Sequence, residues 1–276
     1  MFKKLSKIIF YSIFYLDRFI FFLIKRSFLE WFPEFWQENS YCKKKILDLN
    51  VSFFIPNNLI RWRVDTLYSK EPDTLDWISH FDRDKNTIFW DIGANIGLYS
   101  IFNAINNPDS ETYAFEPSTS NLRILSRNIS INNLDQKIKI FTNPLTENDI
   151  QFLNMKEKNF QEGSAFNNFD RTYNSRLDKK YNNCYQILGM NIKYILSNNI
   201  LKYPNYIKID VDGNEDLIIN GAGVLLKNKK IKSILCEIDE NDEKKKNKII
   251  SLLESYNFKF IKKRTTENIS NFIFNK

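Results

Sequence analysis

Short apolar runs alternate along the chain with longer segments in which apolar residues recur every three or four positions. The first pattern indicates buried strands and the second amphipathic helices, so their alternation predicts a parallel sheet covered by helices. Continuous apolar runs are typical of strands covered on both faces. We therefore expect an α/β fold with a doubly wound, mostly parallel sheet and a C-terminal antiparallel hairpin. The predicted strands are residues 87–91, 111–115, 137–141, 206–211 and 233–238, followed by hairpin strands at 258–264 and 271–274.

Residues 146–190 interrupt this pattern, because polar and aromatic positions mix there without a clear period. Within them, segment 163–170 is predicted to be a loop between short strands. Long irregular segments in compact domains are often lids or binding loops. Gly163, Ser164 and Phe169 are therefore candidates for shaping a pocket, and a variable surface insertion is the alternative interpretation.

The N-terminal segment has a different character from the rest of the chain. Residues 8–24 are almost entirely apolar or aromatic, but Asp17 and Arg18 interrupt them, and a spanning helix needs about 20 apolar residues. On a helix, Lys7, Arg18 and Lys25 fall on one side, opposite a broad apolar face. This pattern is typical of an amphipathic helix that lies in a membrane surface. Packing against the protein's own core or a second copy, and a true span, are the alternatives.

The strongest chemical signal lies between the first two predicted strands, in the sequence DIGANIGLYS at residues 91–100. Gly93 and Gly97 let the backbone turn sharply and approach a ligand closely, and the helix that follows begins with free N–H groups. Glu116, at the tip of the next strand, is placed to accept hydrogen bonds from both ribose hydroxyls. The arrangement predicts a nucleotide-like ligand, and a turn that only packs is the alternative.

The residue between the two glycines distinguishes classes of nucleotide. Dinucleotide sites use G-x-G-x-x-G, in which the middle glycine admits the pyrophosphate, whereas Asn95 occupies that place here. Asp91 would repel an anion but attract a sulfonium or ammonium group. These features favour S-adenosylmethionine over a nicotinamide cofactor. The predicted cofactor-binding residues are Asp91, Gly93, Asn95, Gly97, Glu116 and Pro117.

A second group of acidic residues, Asp210, Asp212 and Glu215, follows the fourth predicted strand. Ligands of open α/β sheets bind beyond the carboxyl ends of the strands, so these acids would face the same crevice as the glycine turn. Asp210 and Asp212 point to the same side if the strand stays extended. Close carboxylates raise one another's proton affinity or share a cation. Capping of the next helix by Asp212 and Glu215 is the structural alternative.

Composition limits the other classes of function. The net charge of +7 is moderate and no nucleic-acid-reading motif is present, so no nucleic-acid partner is expected. Three cysteines and one histidine show no metal-ligand spacing, and we expect no metal site. Sparse cysteines favour a reducing, cytoplasmic compartment. His80 is a candidate general base, because it alone titrates near neutrality, or else a surface residue at a helix end.

Three motifs, taken in order, resemble the FkbM-type S-adenosylmethionine-dependent methyltransferases: DIGANIGLYS (91–100), AFEP (114–117) and IKIDVDGNE (207–215). The resemblance implies a Rossmann-like class I methyltransferase fold, S-adenosylmethionine as cofactor, and O-methylation of a sugar hydroxyl in a glycolipid or surface polysaccharide. Glu71 precedes the cofactor strand in the resembling region and, with Glu215, is a candidate substrate contact. We expect an N-terminal helical extension over residues 1–40 and a methyltransferase domain over residues 41–276.

Methylation of a hydroxyl requires a group that removes its proton. Asp210 or Asp212 is the first candidate, His80 the second, and a divalent cation held by Asp210, Asp212 and Glu237 the third. A nicotinamide-dependent oxidoreductase and a membrane-associated scaffold without catalysis are the competing functions. We expect the protein to act in the cytoplasm, with the N-terminal helix on the inner face of the membrane. The oligomeric state does not follow from the sequence.

Overall fold

The computed structural model describes residues 2–83, 86–157, 159–165, 168–169, 183–266 and 269–276. The helices are α1 Phe2–Ile24, α2 Phe32–Asn39, α3 Asn58–Asp65, α4 Leu67–Lys70, α5 Pro72–Ser79, α6 Leu98–Asn106, α7 Thr119–Ser130, α8 Ile192–Ser197, α9 Glu215–Ala222 and α10 Glu243–Ser255. The strands are β1 Tyr41–Ile46, β2 Leu49–Phe54, β3 Ile88–Ile92, β4 Glu111–Phe115, β5 Ile138–Phe141, β6 Ile150–Glu157, β7 Asn168–Phe169, β8 Asn183–Met190, β9 Tyr206–Ile209, β10 Ser233–Asp239, β11 Lys259–Thr266 and β12 Ile269–Asn275.

A seven-stranded sheet with the order β11-β12-β10-β9-β3-β4-β5 carries the predicted fold. The strands from β10 to β5 are parallel, and β12 and β11 add the antiparallel hairpin. Both the doubly wound sheet and its C-terminal hairpin are thereby confirmed. The chain winds outward from β3 through β4 to β5, and from β9 to β10 on the other side. The winding therefore reverses between β3 and β9, and such a switch point is where open α/β sheets bind their ligands.

The central strand β3 is buried along its whole length, as its continuous apolar sequence predicts. On one face Trp90 belongs to a core cluster that also contains Ile207 and Ile218. On the other face Phe89 contacts the rings of Trp77 and Phe81. Apolar burial contributes about 25 cal/mol per Å², so helices on both faces hold this strand, and the turn after it, in a fixed position.

Residues 146–190 contain a second sheet, of order β7-β6-β8, which the sequence did not predict clearly. β6 and β8 form an antiparallel ladder from the Ile150–Met190 pair to the Glu157–Asn183 pair. Most positions on both strands remain partly or fully exposed, because only a small cluster of Leu153, Met155 and Phe169 covers one face. In the predicted loop 163–170, residues 163–165 are non-regular and 168–169 form β7, while 166, 167 and 170 lie outside the described residues.

The chain divides into two compact units. The first unit is Met1–Cys42 with Phe54–Pro56, and the second is Lys43–Phe53 with Asn57–Lys276. The predicted boundary after residue 40 stays a prediction. The second unit contains both large sheets and the whole switch-point region.

The first unit is built on the long helix α1, which exposes apolar side chains over most of its surface. Asp17 is the exception and is only 5% exposed. The chain after α1 folds back onto it, so that Ser27 Oγ and the backbone N–H groups of Phe28 and Leu29 donate to its carboxylate at 2.8–3.1 Å. In the described part of the chain, no helix combines the length and apolarity needed to cross a bilayer.

Candidate active site

The turn between β3 and α6 has the geometry that its two glycines permit. Gly93 and Gly97 have φ angles of +86° and +89°, in the left-handed region that favours glycine. A Cβ on Gly93 would overlap the carbonyl oxygen of Asp210, so the turn packs directly against the chain after β9. Asn95, between them, is also left-handed at +51°. The turn therefore brings bare backbone to the switch point.

Glu116 follows β4 and faces this turn, as its spacing predicts. Its Oε2 accepts from the backbone N–H of Asn95 and its Oε1 from that of Ser118, each at 2.8 Å. Burial raises its pKa to about 7, although these two hydrogen bonds and one from Asn121 act in the opposite direction. The carboxyl group is thus fixed in position and close to its ionisation point at neutral pH.

A cavity, which we call the Glu116 cavity, opens beside the turn. Its polar lining includes Glu116 and Asn95, and its apolar lining includes Pro117, Met155 and Phe169. Asn95 Oδ1 is buried and has no hydrogen-bond partner in the described part of the chain. Glu116 can accept hydrogen bonds from ribose hydroxyls, the apolar residues can pack against a flat base, and Asn95 Oδ1 can accept one further hydrogen bond. These features fit the adenosine part of S-adenosylmethionine.

A short segment from residues 159 to 165 lies against this cavity. The carbonyl oxygen of Ser164 accepts from the side-chain amides of Asn95 and Asn121 at 2.9 and 3.1 Å, and Asn121 Oδ1 accepts from the Gly163 N–H. Ser164 also lines the cavity. The structure therefore places Ser164 and Phe169 on the Glu116 cavity and Gly163 next to Ser164, while their role in shaping a pocket stays a prediction; Asn121, which also lines the cavity, was not predicted as a site residue.

Lys208 is a buried cation close to the crevice. It is buried in β9, with Nζ 2.7 Å from Asp210 Oδ2 and 3.9 Å from Asp91 Oδ1. Burial alone would raise the pKa of Asp210, but the charges of Lys208 and Lys70 and hydrogen bonds lower it to about 2. The two carboxylates reciprocally raise the pKa of Lys208 against the effect of burial. Asp210 is therefore a fixed negative charge at the crevice.

Asp91 lies behind the turn rather than on the crevice surface. It is completely buried, and Ser100 Oγ donates to its Oδ2 at 2.6 Å. Burial raises its pKa, and Lys208 and Ser100 partly oppose that shift. Any effect of Asp91 on a cationic ligand would therefore act through the electrostatic field. Its predicted role in cofactor binding stays a prediction.

The segment after β9 does not continue as an extended strand. β9 ends at Ile209, and Asp212 has a left-handed φ of +54°. The simple alternation that was expected to place Asp210 and Asp212 on one side therefore does not apply. Both residues nevertheless line the Glu116 cavity and an adjoining outer cavity that Trp62 and Glu237 also line.

Glu215 lies inside the first turn of α9 and not on the crevice. It is buried, its Oε1 accepts from the Gly213 N–H at 2.8 Å, and its Oε2 forms an ion pair with Lys245. This position matches the capping alternative rather than the predicted substrate contact. Glu71, in contrast, is only 6% exposed and lines the crevice beside the turn.

His80 lies at the wrong edge of the sheet for the predicted role of general base. It ends α5, its side chain is 76% exposed, and it pairs with Asp76. The cavity near it is lined by Tyr206 and Ser233, the first residues of β9 and β10, and therefore marks the amino ends of the strands. The crevice lies beyond the carboxyl ends, so His80 cannot act there.

Several charged residues of the crevice were not predicted, namely Arg63, Lys70 and Lys208. The sequence shows Arg63 and Lys70 seven positions apart in the segment before β3, a spacing that places both on one side of a helix. The sequence therefore contains this spacing, but no recognisable motif beside it indicates a function for the two residues. Among the described residues, no group of three or more His, Cys, Asp or Glu side chains is arranged to hold a metal ion.

Comparison with known proteins gives a family match. The model of the Methyltransferase FkbM domain matches residues 91–260. Among curated proteins, no sequence matches this chain.

Similar solved structures include methyltransferase FkbM from Methylobacillus flagellatus KT, with 16% identity and a TM-score of 0.46 over 76% of this chain and 47% of that one. TrmK from M. capricolum, in complex with S-adenosyl-homocysteine, has 14% identity and a TM-score of 0.43 over 73% of this chain and 67% of its own. Precorrin-6y C5,15-methyltransferase from Geobacter metallireducens GS-15 has 14% identity and a TM-score of 0.43, over 75% and 86% of the two chains.

Proposed function

The chain belongs to the FkbM methyltransferase family, and on this premise we propose that it methylates a hydroxyl of a sugar in a glycolipid or surface polysaccharide. The supporting observation is the carboxylate of Asp212, which lines both the Glu116 cavity and the outer cavity. A methyl acceptor must lie beside the cofactor, and a hydroxyl acceptor needs a base there. Asp212 connects the two spaces.

S-adenosylmethionine supplies a methyl group on a positively charged sulfur, and its transfer to oxygen leaves a neutral thioether. Glu116 binds the ribose hydroxyls, and the backbone turn at Gly93 and Asn95 contacts the cofactor. Asp212 accepts the proton of the acceptor hydroxyl as the oxygen–carbon bond forms. Asp210 is a poor proton acceptor because its pKa is held at about 2, so it contributes a fixed negative charge near the sulfonium instead.

A sugar acceptor is supported by the outer cavity. Trp62 is half exposed at its edge, and Asn271 and Glu237 line it with Asp212. Aromatic faces pack against the C–H groups of a sugar ring, while amides and carboxylates hydrogen-bond its hydroxyls. The combination matches a polar ring with several hydroxyl groups.

Calorimetry with S-adenosylhomocysteine tests the cofactor, and methyl transfer tests the acceptor. We expect micromolar binding that Glu116→Ala weakens, and no binding of NADH. Methyl-labelled S-adenosylmethionine would then be incubated with a panel of methyl glycosides, and methyl ethers detected by mass spectrometry. Binding of NADH instead of S-adenosylhomocysteine would favour an oxidoreductase. Absence of both would favour a scaffold.

Asp212→Asn tests the base. We expect turnover to fall about 10²–10⁴-fold, while the affinity for S-adenosylhomocysteine changes by less than about twofold. Asp135→Asn, at an exposed position, is the matched control. Unchanged turnover in Asp212→Asn would exclude this residue as the base.

Peripheral membrane attachment is the second part of the proposal, and the first unit supports it. The exposed apolar face of α1 includes Leu5, Ile9, Leu16 and Leu23. Residues at these spacings share one side of a helix. A stretch of 23 residues with this face, and with polar residues opposite, is suited to lie in a bilayer surface.

Basic residues on the opposite side of α1 are paired with aromatic rings. Lys7 Nζ lies 5.8 Å from the ring centre of Tyr11, and the Arg18 guanidinium carbon 5.5 Å from that of Phe14. Such pairs place cations and amphipathic rings at the height of lipid headgroups, and anionic lipids attract them. The Asp17 carboxylate accepts hydrogen bonds from Ser27, Phe28 and Leu29, so it is turned toward the chain that follows α1 and away from lipid.

Flotation with vesicles tests the attachment. We expect the protein to bind vesicles that contain phosphatidylglycerol more strongly than pure phosphatidylcholine vesicles, and Leu16→Glu to abolish flotation. Phe152→Glu, which changes an exposed apolar residue on β6, should leave it intact. Equal flotation of both variants, or a dimer that Leu16→Glu dissociates in the absence of lipid, would contradict membrane attachment.

A further inference from the structure

The first unit carries a second exposed apolar surface besides the apolar face of α1. A short 3₁₀ turn, Leu29–Trp31, leads into α2, and the aromatic side chains of Trp31, Phe32, Phe35 and Trp36 are between 46% and 66% exposed. We call these four residues the 31–36 aromatic cluster. A large exposed apolar patch marks a surface that contacts a protein partner or a membrane.

The helix α2 separates these rings from its acidic residues. Phe32 and Trp36 are four positions apart and share one side of the helix, whereas Glu34 and Glu38 share another. The indole N–H of Trp36 donates to the carbonyl oxygen of Pro56 at 3.4 Å, although its ring stays exposed. The ring could therefore enter apolar surroundings without leaving its N–H group unpaired. One side of α2 is thus suited to the boundary of a bilayer and another to water.

Asp17 holds the chain that leads into the cluster beside α1. The backbone N–H groups of Phe28 and Leu29, shortly before the cluster, donate to its Oδ1 at 2.8 and 3.1 Å. On α1, Ile13 and Ile20 lie on the same side as Asp17 and are partly buried. The returning chain therefore covers one flank of α1 and leaves both its apolar face and its basic side exposed.

A lipid surface suits this unit better than a second copy of the chain. Basic residues lie at both ends of α1, with Lys3, Lys4 and Lys7 at its start and Lys25 and Arg26 after its end. Two α1 helices that paired in either direction would therefore bring like charges together, whereas anionic headgroups attract both ends. The hydrogen bonds to the Asp17 carboxylate also lower the cost of placing this acid close to hydrocarbon.

We propose that α1 and the 31–36 aromatic cluster form one two-part anchor in the surface of an anionic bilayer, and that Asp17 positions the second part. This inference rests on the proposed membrane attachment and adds a second contact to that of α1. Tryptophan rings concentrate at the boundary between headgroups and hydrocarbon. Trp31 and Trp36 therefore report the second contact directly.

Quenching by brominated lipid tests the second contact on the full chain. Vesicles of phosphatidylglycerol with bromine on the acyl chains quench tryptophans that lie in the bilayer surface. We expect quenching in the wild type and its loss in the double variant Trp31→Phe/Trp36→Phe. Trp62→Phe is the matched control and should keep the quenching, because Trp62 is also exposed but belongs to the second unit.

Vesicle affinity gives a second measurement of the same contact. Trp31→Ser/Trp36→Ser should lower partition into phosphatidylglycerol vesicles by about tenfold or more, because apolar side-chain area is withdrawn from the bilayer. Phe152→Ser removes an exposed aromatic ring from β6 and should leave partition unchanged.

Asp17→Ala distinguishes positioning from apolarity. The substitution makes α1 more apolar, so flotation of this variant should equal or exceed that of the wild type. Without the hydrogen bonds to Phe28 and Leu29 the aromatic cluster is no longer held beside α1, and we expect most of the bromine quenching to be lost. Asp48→Ala, which removes an exposed acid from the second unit, should retain both flotation and quenching.

The outcomes separate this inference from the attachment on which it rests. If the wild type does not float with vesicles, membrane attachment itself is wrong. If it floats but Trp31 and Trp36 are not quenched, attachment through α1 stands and the second contact is overturned. Unchanged quenching in Asp17→Ala would overturn the role of Asp17. A dimer in lipid-free sedimentation that Trp31→Ser/Trp36→Ser dissociates would show that a second copy, and not lipid, covers the cluster.

Discussion

At the scale of single residues, Gly93 lines both the Glu116 cavity and the outer cavity of the crevice. Any side chain there would meet the carbonyl oxygen of Asp210, and the φ of +86° is unfavourable for other residues. Position 93 therefore depends on glycine for two separate reasons, conformation and space.

We expect Gly93→Ala to lower the free energy of unfolding by about 3 kcal/mol or more, since left-handed strain alone costs about 1–2 kcal/mol and the overlap adds to it. Gly223→Ala is the matched control, because Gly223 also has a positive φ, +54°, but its Cβ would meet open space. Urea denaturation measures both. Equal losses in the two variants would mean that the contact with Asp210 is unimportant.

Glu116 gives a prediction about pH. Its pKa is raised to about 7 from an ordinary 4.5, so the folded protein binds this proton more tightly than the unfolded chain. Its contribution to stability therefore decreases as pH rises from about 4.5 to 7. An ionised carboxylate accepts better from ribose hydroxyls, so affinity for S-adenosylhomocysteine should rise up to tenfold per unit of pH below about 7 and then level off.

Titration calorimetry across that range measures this profile. Glu116→Gln, which has no ionisable group, should show weaker binding with no inflection near neutral pH. A flat profile in the wild type would contradict the role assigned to Glu116.

The sequence predicted the positions of some of these residues, and for a physical reason. Gly93, Gly97 and Glu116 satisfy constraints of local backbone geometry, which a short motif records. His80 was misplaced because its chemistry was considered without its position: a helix that leads directly into a strand ends near the amino edge of the sheet. Lys208 stands in the sequence only as a charged residue within an apolar run, because its partner Asp91 is brought opposite it by the pairing of β3 with β9.

At the scale of elements, β9 carries its charged residue into the interior of a parallel sheet. Lys208→Met would leave Asp210 and Asp91 without their buried cation, and removing one partner of a buried pair costs about 3–5 kcal/mol. We expect a loss of that size in urea denaturation. The double variant with Asp210→Asn should recover part of it. No recovery would mean that packing rather than charge explains the loss.

The sheet of β6 and β8 shows where prediction from pattern reaches its limit. A strand covered on one face needs few apolar residues, and these two strands carry polar or aromatic residues at most exposed positions. Their pairing joins residues 26 to 40 positions apart, as in the pairs Glu157–Asn183 and Ile150–Met190. Short-range periodicity contains no information about such a contact, whereas the strands of the main sheet can be predicted from their continuous apolar sequences.

At the scale of the whole molecule, the crevice belongs to one unit. The contacts described for Gly93, Glu116 and Lys70 all lie within the second unit. We expect a protein that lacks residues 1–40 to bind S-adenosylhomocysteine within about twofold of the full chain, since no binding charge is removed, and to lose vesicle flotation. Calorimetry and flotation on the same preparation measure both. Loss of cofactor binding by a folded truncation would show that the first unit supports the crevice.

The fixed carboxylates of the crevice have a consequence for the catalytic cycle. Glu71, Asp210, Asp212 and Glu237 outnumber the cations Arg63 and Lys70 on the outer cavity. Methyl transfer abolishes the positive charge on sulfur, and with it an attraction of a few kcal/mol at close range. We therefore expect the spent cofactor to bind less tightly than the fresh one, so that the reaction itself would promote the exchange that begins the next turnover.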